Sequence, residues 1–166
     1  MAAVLKRILY VEDEPDIQTI VRISLESLGG FSVKICSSGS EALVVAPVFK
    51  PDFIMLDAMM PGMDGPTVLS ALRALPGLAE TPVVFVTAKA MPSEVERFKQ
   101  LGAVDVIPKP FDPMTLPQKV LDIWDRCHAR TRRYLSCPVR CDTLIVHRGI
   151  ALPNLRLATR RPAAAQ

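Results

Sequence analysis

The four apolar residues Phe53–Leu56 stop abruptly at Asp57, and Pro61, Gly62 and Gly65 follow within eight positions. So short a run, bounded by turn chemistry, suits a strand buried on both faces of a parallel sheet. In open α/β sheets, chemistry sits just beyond the carboxyl ends of the strands. Asp57 then becomes a carboxylate held at the mouth of a sheet. A turn aspartate, or a cap for the following helix, would satisfy the same segment.

The rest of the chain repeats this pattern. Arg7–Val11, Phe31–Ile35, Pro82–Thr87 and Val104–Ile107 read as four further strands. Between them lie helical patterns. Pro15 opens a first helix, which carries Ile17, Ile20, Val21, Ser24, Leu25 and Leu28 at helical spacing and stops at Gly29-Gly30. Ser38 with Glu41 forms a capping box for a second helix, expected to end near Pro47. Asp64 caps a third, Pro66–Leu75, and Ser93 with Glu96 a fourth, Glu94–Leu101. Asp112 caps and Pro113 opens a last helix reaching about Cys127, with Pro117 expected to disturb its first turns. Five strands alternating with five helices predict an α/β fold: a doubly wound parallel sheet with helices on both faces.

The strand ends carry the chemistry. Strand one ends at Glu12-Asp13, strand three at Asp57, strand four at Thr87-Ala88, and Lys109 follows strand five within two residues. Three acids, a hydroxyl and an amine therefore converge. Clustered carboxylates repel unless a cation or proton joins them. Hard oxygen ligands with an open site suit Mg²⁺, which keeps waters and accepts phosphate oxygens. Lys109 can pair with Asp57 or with a phosphoryl group on it, and Thr87 can donate to a phosphoryl oxygen. A carboxylate nucleophile beside Mg²⁺ and Lys is the apparatus for forming an aspartyl phosphate. Taken singly, each residue has a plainer reading as a helix cap, a strand-end Thr or a solvated Lys.

With these residues in place, residues 5–127 resemble the response-regulator receiver domains of two-component signalling, of the single-domain type. The resemblance rests on Glu12-Asp13, on Asp57 with Met60-Pro61 and Asp64-Gly65, on Thr87-Ala88, and on Gly102-Ala103 leading to Lys109-Pro110-Phe111. It implies a flavodoxin-like strand order 2-1-3-4-5. It implies Asp57 as phosphoacceptor, and Glu12, Asp13, Asp57 and the backbone carbonyl of Met59 as Mg²⁺ ligands. It further implies Thr87 and Lys109 as sensors of the phosphoryl group, and a cis Lys109–Pro110 peptide. The implied partners are a sensor histidine kinase or phosphotransfer protein and an unknown output protein. The chain would then be no enzyme beyond its own Asp phosphorylation and dephosphorylation. Two departures stand out: Glu12, where the family more often has Asp, and Val106, where it usually has Tyr or Phe.

Charge divides the chain. Residues 1–125 hold eleven Lys/Arg against sixteen Asp/Glu, whereas residues 126–166 hold nine Arg against the single acid Asp142. This break predicts a receiver domain over 1–127 and an Arg-rich basic tail over 128–166, flexible and without a recognised domain, with one short strand conceivable at Thr143–Val146. Some 40 residues leave no room for a winged-helix or helix-turn-helix output domain. Nucleic acid is not expected as a partner except through this tail. Cys137 and Cys141, with His147 six residues on, could ligate Zn²⁺, although the spacing is not that of a common zinc finger. The N-terminus lacks the order of a signal peptide and no run is long enough for a membrane span, so a cytoplasmic location and reduced thiols are expected.

Two rival functions follow from the same residues. A phosphorylation-independent adaptor would keep the fold and signal by binding alone, and would have no need of all five site residues. A phosphohydrolase using Asp57 on free substrates would need an acid two residues later, where Met59 stands.

Overall fold

The structure, a computed structural model, describes residues 4–135, with side-chain surroundings to Ala129. The expectations for Cys137, Cys141, His147 and Thr143–Val146 lie outside the described residues. Five parallel strands form one sheet in the order β2-β1-β3-β4-β5, with β1 at Arg7–Val11, β2 at Ser32–Cys36, β3 at Phe53–Asp57, β4 at Val83–Thr87 and β5 at Asp105–Pro108.

Alternation along each strand splits the core in two. Leu9, Val11, Ile54, Leu56, Val83 and Phe85 pack with Ala42, Val68, Leu72 and Phe98, which come from helices α2 (Gly39–Phe49), α3 (Gly65–Arg73) and α4 (Pro92–Gln100). Ile8, Tyr10, Phe53, Met55, Val84 and Val86 pack with Val21, Leu116, Val120 and Trp124 from α1 (Pro15–Ile23) and α5 (Leu116–Leu135). A strand covered on both faces buries successive side chains in opposite layers. That is why β3 and β4 are buried at every position.

Several element ends differ from the sequence expectation. The first helix does not run regularly to Leu28: after Ile23 it widens into a π-helical turn, Ser24–Leu28, in which Gly29 N–H donates to Ser24 O at 3.2 Å. Phe31 is not in β2, because its N–H is spent on Leu25 O at 3.0 Å, closing that turn after Gly30 at φ +70°. Helix α2 passes through Pro47 to Phe49. The proline deletes one bond, but the ladder resumes with Lys50 N–H on Ala46 O at 2.9 Å, and Lys50 ends the helix at φ 51°. Its N-terminus is capped as expected, Ser38 Oγ accepting from Glu41 N–H at 3.2 Å. Helix α4 starts earlier than the Ser93 box predicts. Met91 is its N-cap and Pro92 its first residue, with no side-chain cap; the preset φ of proline favours that position.

The last helix also differs. Asp112 closes a turn instead, its Oδ1 accepting from Met114 N–H at 2.9 Å and its carbonyl from Leu116 N–H at 3.1 Å. Helix α5 then begins at Leu116, so Pro117 sits in the first turn, where its missing N–H costs no helical bond. The helix continues to Leu135, across the charge break. Among the described residues, no helix is long and apolar enough to cross a membrane.

Candidate functional site

The carboxyl ends of β1, β3 and β4 converge because β1 and β4 flank β3 in register, Val11 beside Leu56 and Asp57 beside Val86. Glu12 follows β1 directly, anchored by its N–H on Cys36 O at 3.0 Å. Asp57 is the last residue of β3 and is 5% exposed. Thr87 ends β4 and is buried. Lys109 is tied to that strand by its own N–H on Thr87 O at 2.8 Å, and the peptide to Pro110 is cis.

Lys109 links two of the acids. Its Nζ donates to Glu12 Oε2 at 2.6 Å and to Asp57 Oδ2 at 2.8 Å. The other Asp57 oxygen, Oδ1, accepts from Met59 N–H at 2.9 Å. Thr87 Oγ1 accepts from Lys89 N–H at 3.1 Å, which fixes the hydroxyl while leaving its proton to donate elsewhere. Met59 itself lies exposed at the rim, beside the acceptor through its backbone.

One oxygen from each of Glu12, Asp13 and Asp57 lies within 4.8 Å of the others. Glu12 is fully buried, and its Oε1 has no hydrogen-bond partner. A buried carboxylate oxygen without a donor is costly to leave unpaired. A hard divalent cation among the three acids would supply the missing partner, so the donor set fits such an ion. Electrostatics agree. Burial pushes the Glu12 carboxyl above its ordinary range, against the lowering effect of the bonds from Lys109 and Tyr10, with the Asp57 charge adding to the rise. Burial would lower the Lys109 ammonium, but bonds and charges from Asp57 and Glu12 outweigh it and hold the amine protonated.

Sequence reasoning missed two residues here. Tyr10 donates its hydroxyl to Glu12 Oε2 at 2.5 Å from within the core. The signal was available, since residues two apart on a strand share a face. Gly65 was read as turn chemistry and as part of a motif, but not as a position with no room for a side chain. A Cβ there would stand 2.6 Å from Asp57 O and 2.7 Å from the Phe85 ring, so the backbone behind the acceptor needs glycine.

The comparisons with known proteins agree with this geometry. Residues 8–121 match the family model described as the response regulator receiver domain. The DNA-binding response regulator MtrA of Mycolicibacterium smegmatis is 37% identical over 115 residues, 69% of this chain and 49% of that protein. The alkaline phosphatase synthesis transcriptional regulatory protein PhoP of Bacillus subtilis is 38% identical over 121 residues, 73% of this chain and 49% of its own length. The chain thus spans about half the length of the curated relatives it matches. Among solved structures, chemotaxis protein CheY4 of Vibrio cholerae superposes with a TM-score of 0.68 at 29% identity, covering 72% of this chain and 99% of that one. The receiver domain of a sensor histidine kinase from Pseudomonas aeruginosa, with a magnesium ion coordinated in its active-site cleft, gives 0.64 at 32% identity, covering 73% and 98%. With the acids, hydroxyl and amine gathered at the ends of a 2-1-3-4-5 sheet, the chain belongs to the response regulator receiver domain family of two-component signalling.

Proposed function

We propose that this receiver domain accepts a phosphoryl group on Asp57 from a histidine kinase or phosphotransfer protein and signals through protein–protein contact. The observation that carries the reading is the bridge from Lys109 Nζ to Glu12 and Asp57, beside an unpartnered Glu12 oxygen. A carboxylate oxygen of Asp57 attacks phosphorus, the bond from phosphorus to the donor's histidine nitrogen breaks, and that nitrogen keeps the electron pair and takes a proton. Burial of Asp57 at a strand end fixes the nucleophile and limits competing water. Lys109 stays protonated and turns to the arriving phosphoryl oxygens as a fixed positive charge. Thr87 donates its hydroxyl proton to one of them. Glu12, Asp13 and Asp57, with the Met59 carbonyl, hold Mg²⁺, which when bound offsets the charge gathered on the transferring group.

The receiver unit corresponds to residues 1–127 and the basic segment to 128–166, with the cytoplasm as the expected compartment. Binding of nucleic acid would involve only the basic segment. Mass spectrometry after incubation with a small phosphodonor and Mg²⁺ tests the reading. One phosphoryl group should be added to the wild type and none to Asp57→Asn, and addition to the Asn variant would overturn the assignment. No addition at all would favour the phosphorylation-independent adaptor.

A further inference from the structure

We infer that Tyr10 is a positioning residue for the metal site: its buried phenol holds Glu12 so that Oε1, and not Oε2, is presented to the cation. The inference rests on the reading that Glu12 ligates Mg²⁺.

Side-chain length sets the problem that Tyr10 solves. Glutamate has one more rotatable bond than aspartate, so a glutamate in this place needs an added constraint to hold one oxygen still. Burial alone does not choose between its two oxygens. The hydrogen bonds do. Oε2 accepts from both Tyr10 Oη at 2.5 Å and Lys109 Nζ at 2.6 Å, while Oε1 accepts from nothing. The donor below and the donor beside therefore commit one oxygen to the protein.

Lys109 cannot serve as that constraint by itself. It is shared with Asp57 Oδ2, and an arriving phosphoryl group competes for the same ammonium. Tyr10 has no such second duty among its contacts at the site. Its ring is fully buried among Ile8, Phe53 and Met55 neighbours of the same core layer, and its strand pairs with β2 and β3 on either side. Partners of metal ligands act in this way elsewhere, by fixing which atom faces the ion.

Tyr10→Phe and Glu12→Asp, singly and together, test the inference in the full chain by calorimetric titration with Mg²⁺. The wild type must bind the ion in the same experiment; if it does not, the reading of the metal site fails rather than the role of Tyr10. Tyr10→Phe should weaken Mg²⁺ about tenfold. In the Glu12→Asp background the carboxylate is one methylene too short to keep the phenol bond, so the same substitution should change affinity little. An equal loss in both backgrounds would assign Tyr10 to packing alone and overturn the inference, as would no loss in either. A second measurement needs no variant. With tyrosine labelled at the ring carbon bearing oxygen, the signal of Tyr10, one of two tyrosines in the chain, should shift with the calorimetric Mg²⁺ affinity. A Tyr10 signal unmoved at saturating Mg²⁺ would overturn the inference even if Tyr10→Phe failed to fold.

Discussion

Gly65 lies against the backbone of Asp57 so closely that a methyl group on it would sit 2.6 Å from the Asp57 carbonyl oxygen. The same methyl would be 2.9 Å from Ala58 Cα, and Gly65 N–H already donates to Ala58 O at 3.2 Å. Helix α3 is thus docked directly behind the candidate phosphoacceptor, with no clearance on that side. Gly65→Ala must move either the helix or the loop after β3. We expect a loss of about 1–3 kcal/mol in denaturant unfolding, together with slower phosphorylation, since the displaced loop carries Met59 N–H away from Asp57 Oδ1.

Lys109→Met should be more costly than a surface substitution. It removes the only cation bonded to Glu12 and Asp57 among the described residues and leaves two buried carboxylates side by side. Breaking a buried pair by removing one partner costs about 3 kcal/mol. Urea unfolding without Mg²⁺ should show this loss, and Mg²⁺ should restore part of it by joining the same carboxylates. A variant as stable as the wild type without metal would contradict the pairing.

Thr87 should carry the phosphoryl signal into the loop that follows it. Val106, where an aromatic is usual in the family, is partly buried against the core and has no ring to turn. Amide exchange with a phosphoryl mimic should therefore change protection across residues 87–100. Thr87→Ala should abolish that change while leaving phosphorylation in place, and Val106→Ala should leave it intact. Changes confined to residues 104–107 would refute this route.

Cys36 should be the least reactive thiol of the described chain. It is fully buried at the end of β2, and burial, reinforced by the Glu41 charge, pushes its pKa up to about 12 from 9.0. The unfolded thiol ionises first as pH rises, so the unfolded state releases its proton while the folded one keeps it. The resulting contribution makes stability fall as pH climbs from 9.0 towards about 12. Alkylation with peptide mapping at pH 8 should label half-buried Cys127 well before Cys36. Cys36→Ala should remove the part of the alkaline decline that sets in near pH 9.0, leaving what Tyr10 and Lys109 contribute at higher pH.

Local chemistry in the chain was enough to place β3 at Phe53–Asp57 and β1 at Arg7–Val11, to alternate strands with helices, and to bring Glu12, Asp13, Asp57, Thr87 and Lys109 to one edge of the sheet. Hydrophobic period and turn residues act over a few positions, and they survive folding best in β1, β3 and β4, which are buried along nearly their whole length. The ends of elements were less legible. Pro47 stayed inside α2 and Ser93 was passed over as a cap, because a single lost bond or cap is outweighed by docking the helix on the core. The finer design of the site came only with tertiary structure. Lys109 meets Glu12 from 97 positions away and Asp57 from 52, so strand order and register select those partners. Which Glu12 oxygen is left free depends on two donors meeting in a space closed to water, and the need for glycine at 65 depends on how closely a helix approaches another strand's backbone. Such choices are made by distance and burial between segments remote in the chain, and no local pattern encodes them.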